Sequence, residues 1–429
     1  MALKLKRNLS LFDVTIYGVG IILGAGVYAL IGQAAGIAGN AIWLSFLFGA
    51  VLAAITGLSY AELSSMYPRE AAEYVYTKKA FNSKGLAFVI GWLIIITGTV
   101  AAAAVAIGFG GYLEALTGFN PFISAACLIG ALSLLNFWGI KQSSRANIVF
   151  TVVELSGLLL IIALAFMFGD FSSVNFFESP TGFSGVFAAA ALIFFAYIGF
   201  EDVVNISEEV KNPRRNVPKA LLYSIVITTI VYVLVAISVV ALVPWQELAN
   251  SIAPLATAAE GTFPGAGFVL SVIALFATAN TVLIILIVQS RMAYGMAREH
   301  SLPTFLSKLH EVRRTPWVAI IITTLIVLGF LAIRNIRTIA EVTNFGVFIT
   351  FIIVNAALIA LRYKAPKANR RFKVPLNIGK FPVLPVCGII VSVAMLLKLN
   401  PVIHYIGLGI IASGVIIYAI TKAKEHYRK

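Results

Sequence analysis

Apolar residues in this 429-residue chain gather into long runs rather than alternating with polar ones. A helix that crosses the roughly 30 Å hydrocarbon core of a bilayer needs about 20 mostly apolar residues. Runs of that kind fall near 12–35, 41–66, 85–112, 121–138, 147–168 and 186–206. Six more follow near 219–243, 266–290, 317–334, 341–361, 382–399 and 401–421. Pro121, Pro244, Pro382 and Pro401 stand at run ends, where helix breakers belong. The pattern predicts an all-α membrane protein of about twelve transmembrane helices.

Composition agrees. The chain is 60% hydrophobic and 12% charged, whereas a soluble domain carries roughly 25% charged residues. A water-soluble fold has no place to hide this much apolar surface. The net charge of +14 raises the question of nucleic acid, and the position of the charges answers it. With the N-terminus inside, the basic residues collect on the cytoplasmic side, among them Lys4, Lys6, Arg7, Arg69, Lys211, Arg214, Arg215, Arg291 and Arg298. Arg362, Arg370, Arg371 and the tail residues Lys422, Lys424, Arg428 and Lys429 join them. Only Arg334, Arg337 and Lys398 of the 32 basic residues remain outside. That is the positive-inside pattern of a multi-pass protein of the inner (cytoplasmic) membrane, both termini cytoplasmic, with lipid headgroups as the partners of the charge. It leaves no nucleic-acid surface.

No cleavable signal peptide is visible, because the apolar segment after the basic start is too long for one. Cys127 and Cys387 both lie in apolar runs and read as small core residues. The four histidines form no metal-binding spacing, and no cofactor is expected.

Two runs look wrong for continuous helices. The first contains Gly18, Gly20, Gly24 and Gly26; the sixth contains the segment Phe194–Glu201 with Gly199. Half the bilayer is about ten residues of helix. Counting inward from opposite sides places both segments near mid-depth. Glycine tolerates unwound backbone, and irregular backbone at that depth survives where it lines a cavity or is buried in protein. A helix N-terminus attracts an anion and bare carbonyls attract a cation, a combination that suits a zwitterionic amino acid. Helices one and six, five apart and running oppositely, match a five-helix inverted repeat. The plainer reading is close packing, the common use of membrane glycines, and it stands for Gly18, Gly32, Gly36, Gly108, Gly110 and Gly111.

At these residues the sequence resembles the amino acid–polyamine–organocation superfamily of permeases. The likeness runs through Gly24–Tyr28, Tyr60–Leu63 with Tyr67 and Pro68, and Phe195–Glu201 followed by Glu208–Pro213. It continues in Ser290–Glu299 and, more weakly, in Arg371–Pro375. The resemblance implies a five-plus-five inverted-repeat (LeuT-like) fold with broken helices one and six and alternating access. Residues 1–180 would be the first repeat, 181–363 the second, and 364–429 the last two helices and a tail. It implies a substrate site at Ile22, Gly24, Ala25, Gly26, Val27, Phe195, Ala196, Ile198, Gly199, Phe200 and Glu201. The amides near Ala25, Gly26 and Val27 would hold the substrate carboxylate; the carbonyls of Ile22, Phe195 and Ile198 would receive its ammonium group. The Phe195 ring would be an outer gate, against a reading of Phe195 and Phe200 as ordinary packing.

The chain departs from that family in three places. Ala25 stands where many relatives carry serine, Glu70-Ala71-Ala72 replaces a small-Gly-Gly run, and Glu154 occupies a lysine position of the fifth helix. Glu154 lies about seven residues, roughly 10 Å, into its span. A lone buried carboxylate there binds and releases a proton, attracts Na⁺, or hydrogen-bonds a neighbouring helix. Thr278 and Thr281 could lend it oxygens, although helix threonines more often bond their own backbone. Asp13 and Glu62 sit near span ends, where capping or snorkelling explains them, with gating a second role for Glu62. Glu201 is placed to face the pore or bond the exposed backbone. Glu208 and Glu209 read as a solvated cluster with Lys211, Arg214 and Arg215, or else as a cytoplasmic gate.

The expectation is a secondary amino-acid transporter, monomer or homodimer, coupled to H⁺ ahead of Na⁺ because no second acid neighbours Glu154. The rivals are a polyamine or organic-cation carrier and an exchanger. An enzyme would need a metal set or a nucleophile dyad in the spans, and a channel would need a polar ring or a re-entrant filter. The sequence has neither.

Overall fold

Helix starts follow local chemistry. Ser10 and Asp13 form a capping box (Ser10 N to Asp13 Oδ2 2.8 Å, Asp13 N to Ser10 Oγ 3.2 Å) that opens α1, Leu11–Leu23. The computed structural model describes residues 5–251, 253–332 and 336–427; Lys4, Arg334, Arg428 and Lys429, four of the charges used for orientation, lie outside them. After α1 come α2 (Ala25–Ala38), α3 (Ile42–Met66) and α4 (Ala72–Phe81). Ser83 caps α5 (Lys84–Thr117), and Asn120 caps α6 (Pro121–Trp138) with Pro121 in its first turn. The chain continues through α7 (Ile140–Phe168), α8 (Gly182–Ile193), α9 (Pro213–Leu242), α10 (Trp245–Asn250) and α11 (Pro254–Glu260). It ends in α12 (Ala266–Arg298), α13 (Trp317–Gly329), α14 (Ile336–Lys364), α15 (Val383–Leu396) and α16 (Pro401–Tyr427). One small hairpin, β1 (Asn377–Ile378) with β2 (Phe381–Pro382), precedes α15.

Among the described residues nine helical stretches are long and apolar enough to cross a membrane. The first, Leu11–Met66, is 56 residues long. Straight, it would reach about 84 Å, far more than a bilayer. It turns instead at Gly39, whose φ is +64° and whose Cβ would sit 2.7 Å from Pro180 Cδ. The stretch is therefore two crossings. With the shorter apolar helices α13 and α15 the described residues carry the twelve crossings expected, and the chain is an all-α membrane protein.

The broken first span is enclosed by α7, α9 and α12, which pack on α1. Outside this centre, Leu134, Val152, Phe166 and Leu408 present exposed apolar side chains, as a lipid-facing surface requires. Cys127 lies on that surface and Cys387 is half-buried, so the expectation of two core cysteines is corrected. A lipid-facing wall is as apolar as a core, and burial habits from water do not separate them. The apolar-run pattern carries no signal for α4, a ten-residue helix of mixed polarity that is nonetheless buried from Ala72 to Thr77.

Candidate functional site

The first span breaks between Leu23 and Ala25, at Gly24 (φ −44°, ψ −158°). A Cβ there would lie 2.0 Å from Thr281 Oγ1. The Ala25 amide donates to that same hydroxyl at 3.0 Å, so α12 takes one of the unsatisfied donors at the start of α2. The sixth span leaves α-helical geometry at Phe194: a tight 3-10 turn, Phe194–Tyr197, is followed by extended Ile198 and by Gly199 at φ +125°. That φ suits glycine alone, and a Cβ would meet Ile21 Cγ1 at 2.6 Å. A 3-10 segment, Glu201–Glu209, completes the span.

The two breaks touch. A Cβ on Gly26 would sit 2.7 Å from Ala196 Cα, so the backbones meet where glycine permits it. The hydroxyl of Tyr232, on α9, lies between the carbonyls of Ile22 and Ala196, 2.9 Å from the second, and shares its one proton between them. Glu201 accepts the Gly199 N–H at 3.0 Å. Tyr232 escaped the sequence reading because nothing in its own span distinguishes it from a packing tyrosine.

One cavity opens beside the breaks. Ile22, Ala25, Gly26, Phe195, Ile198 and Glu201 of the expected site line it, and so does Thr281. Phe195 and Ile198 are the half-exposed members of the second break, and their exposure is toward this space. Gly24, Val27, Ala196, Gly199 and Phe200 shape the backbone without lining the cavity. Phe200 is buried between Tyr60 (ring centroids 6.1 Å) and Phe351 (5.3 Å). The facing wall comes from residues the sequence reading passed over: Ile94 and Ala101 on α5, Ile285 and Gln289 on α12, Val347 and Phe351 on α14. Glu73 of α4 and Asp202 also reach it.

Of the carbonyls assigned to an ammonium group, Phe195 O accepts the Ile198 N–H at 3.3 Å and Ile22 O accepts from Tyr232. Each carbonyl oxygen has a second lone pair, so neither is thereby closed to a ligand.

Glu154 is fully buried one turn behind the first break. Its Oε2 accepts from Asn280 Nδ2 at 3.2 Å; the same nitrogen lies 3.3 Å from Gly20 O and 3.2 Å from Thr151 Oγ1. Asn147 Nδ2 in turn donates to Asn280 Oδ1 at 2.8 Å. Glu154 Oε1 has no hydrogen-bond partner among the described residues. A carboxylate with only neutral amides around it has no counter-charge. A Cβ on Gly20 would lie 2.0 Å from Thr151 Oγ1, so α1 meets this polar cluster through a glycine. The oxygens sought from Thr278 and Thr281 go elsewhere: Thr278 bonds its own helix at Ala274 O (2.8 Å), and Thr281 serves Ala25. The signal for the true neighbours was present, since Asn147, Thr151 and Glu154 recur on one face of α7 at the helical spacing.

At the α4 end of the bundle Glu62, Glu208 and Glu209 are paired with arginines. Glu62 takes Arg362 Nη2 at 2.6 Å, Arg370 Nε at 2.9 Å and the Val374 N–H at 2.8 Å, tying α3 to α14 and to the segment after it. Glu209 lies 3.2 Å from Nε and 3.3 Å from Nη2 of Arg291, which is fully buried and also reaches Asn136 Oδ1 at 2.5 Å. Glu208 pairs with Arg298 at 2.7 Å. The expected solvated cluster with Lys211, Arg214 and Arg215 is corrected: Glu209 is buried against α12. Sequence distance hid that pairing, because its partner lies 82 positions away.

The amino acid permease family model matches residues 9–421. The branched-chain amino acid permease of Bacillus subtilis is 32% identical over 98% of this chain and 94% of its own length. The methylthioribose transporter of the same organism is 31% identical over 98% and 95%. Mouse cationic amino acid transporter 4 is 29% identical over 85% of this chain and 61% of its own.

Proposed function

The chain belongs to the amino acid permease family, whose members are transporters and not enzymes, and from that premise we propose that it moves α-amino acids with apolar side chains inward, coupled to protons. The observation that carries the reading is the contact of two broken spans, Gly26 against Ala196, beside one cavity. First-turn amides of α2 take the carboxylate, since the start of a helix leaves N–H groups free and carries partial positive charge. Carbonyls at the breaks take the ammonium group. The facing wall of Ile94, Ala101, Ile285 and Val347 takes the side chain. Fully burying a leucine or isoleucine there contributes about 2 kcal/mol, while a buried polar group without a partner costs a similar amount. The similarity to a branched-chain permease supports the same class.

On this reading residues 1–180 and 181–363 form the two inverted repeats, which rock about the site, and 364–429 add the last two helices and the tail. The distribution of basic residues supports a cytoplasmic-membrane location with both termini inside. Glu154 takes and returns the coupling proton: Asn280 Nδ2 donates to one of its oxygens, and the other, which has no partner among the described residues, can carry the proton. Phe195 closes the site from outside; Glu62, Glu208 and Glu209 hold the inner end.

Competition binding to purified protein tests the substrate site. Leucine and isoleucine should compete, and their amides or decarboxylated amines should not. An amine that binds as tightly as its parent amino acid would transfer the protein to the organic-cation carriers. Gly26→Leu should abolish binding while the protein still purifies as a folded species, because the new side chain meets the Ala196 backbone. Unchanged affinity in that variant would remove the breaks from the site.

A further inference from the structure

Helix α4 crosses no membrane, and one side chain holds its start to the sixth span. Asn205 Oδ1 accepts the Ala72 N–H at 2.9 Å, while its Nδ2 lies 3.3 and 3.1 Å from the two carboxylate oxygens of Glu73. Glu73 is 1% exposed to the outside and borders the substrate cavity. The titratable groups around it are Tyr60 from α3, Tyr76 from α4, and Glu201 and Asp202 from the sixth span. None of them is a cation. The ion pairs among the described residues go to Glu62, Glu70, Glu208, Glu209 and Glu299 instead. Beside Glu73 the Tyr60 hydroxyl is fully buried, short of full hydrogen-bonding geometry but near enough to steady the ionised carboxylate.

An ionised carboxylate in such a place is held by neutral donors only, Asn205, a backbone N–H and the Tyr60 hydroxyl, which offset part of the cost of burying a charge. We propose that Glu73 is a second proton-binding group, a latch at the inner end of the cavity that Asn205 holds shut while it is ionised and that opens when it is protonated. The proposal deepens the proton-coupled reading above and rests on it. A proton arriving from the cavity bonds to one carboxylate oxygen and turns that acceptor into an O–H donor. The new donor has the Tyr60 hydroxyl to bond, and Asn205 keeps one acceptor instead of two. When α4 moves out and Glu73 meets water, its proton affinity falls toward that of an ordinary carboxylate, and the proton leaves on the inner side. One proton enters from the cavity and one departs.

Burial is the chief cause that pushes the Glu73 carboxyl up to about 7, against lowering by backbone hydrogen bonding, by Asn205 and by the Tyr60 hydroxyl. A raised carboxyl is neutral below that value and ionised above it. The latch is therefore loose on the acid side of neutrality and tight on the alkaline side.

Two measurements on the intact protein decide the matter. Infrared difference spectra of purified protein through a pH titration should show a carboxylic-acid carbonyl band that disappears near pH 7, and the near-isosteric Glu73→Gln should lack it. Amino-acid counterflow in proteoliposomes, with equal pH on both sides, should slow about tenfold between pH 6 and 8, which follows the protonated fraction of a group titrating near 7. Glu73→Gln should stay fast throughout. Asn205→Ala, which removes the latch and keeps the carboxyl, should flatten the transport profile and retain the infrared band. A band that still titrates near pH 7 in Glu73→Gln, or an unaltered transport profile in that variant, would overturn the proposal. So would a loss confined to lysine and arginine binding, which would make Glu73 a side-chain contact. Absence of all amino-acid counterflow in the parent would refute the proposed function, while the infrared titration, which needs no substrate, would still decide Glu73.

Discussion

Glu154 and Glu209 are both buried carboxylates, and their surroundings are opposite. Glu209 faces the guanidinium of Arg291, itself bonded to Asn136, at the α4 end of the bundle. Glu154, behind the first helix break, faces Asn280 and has one oxygen with no partner among the described residues. A charge met by an opposite charge is fixed in place, and removing either partner strands the other. A carboxyl met by neutral amides keeps two states within reach. On the proposed function the paired acids hold the inner end together, and Glu154, without a counter-charge, exchanges the coupling proton.

The comparison breaks first at the paired end. Arg291→Ala leaves Glu209 buried without its counter-charge, at a cost of about 3–5 kcal/mol. Thermal unfolding in detergent should show the largest loss of any variant named here. Replacing both partners together, Arg291→Met with Glu209→Leu, should recover most of it. An Arg291→Ala protein that unfolds at the parent temperature would mean the pair contributes nothing.

A smaller effect separates two threonines three positions apart on α12. Thr281→Val leaves the Ala25 amide without its hydroxyl partner, a loss of about 1 kcal/mol in stability. Thr278→Val removes a hydroxyl that only shares carbonyls of its own helix, so its effect should stay within about 0.5 kcal/mol. Equal effects in the two variants would show that the start of α2 gains nothing from α12.

The crossings were legible because a lipid environment demands long apolar runs, and twelve such runs became twelve crossings. Both breaks were legible too, since Gly24 and Gly199 sit where the backbone departs from a helix. What the sequence hid were partners from distant spans. Tyr232 carries no local mark of joining the two breaks, nor Gln289 and Val347 of facing a cavity. Arg291 looks in sequence like one more topology charge, although it is the largest fully buried side chain among the described residues. Glu73 was hidden differently: α4 is too short and too polar for any apolar-run criterion, and its burial comes from what folds over it. Thr278 misled because threonine hydroxyls in a span look equally available, while geometry returns this one to its own carbonyls.

The coupling role of Glu154 is tested most directly by accumulation against a gradient. Purified parent protein in liposomes, with the outside made acidic, should concentrate labelled leucine, and the uptake should not require Na⁺. Glu154→Gln fixes the neutral form of the side chain. It should retain leucine counterflow and lose accumulation. A Glu154→Gln protein that still concentrates leucine on a pH gradient would contradict the assignment, and uptake in the parent that depends on Na⁺ would replace the proton with a bound cation.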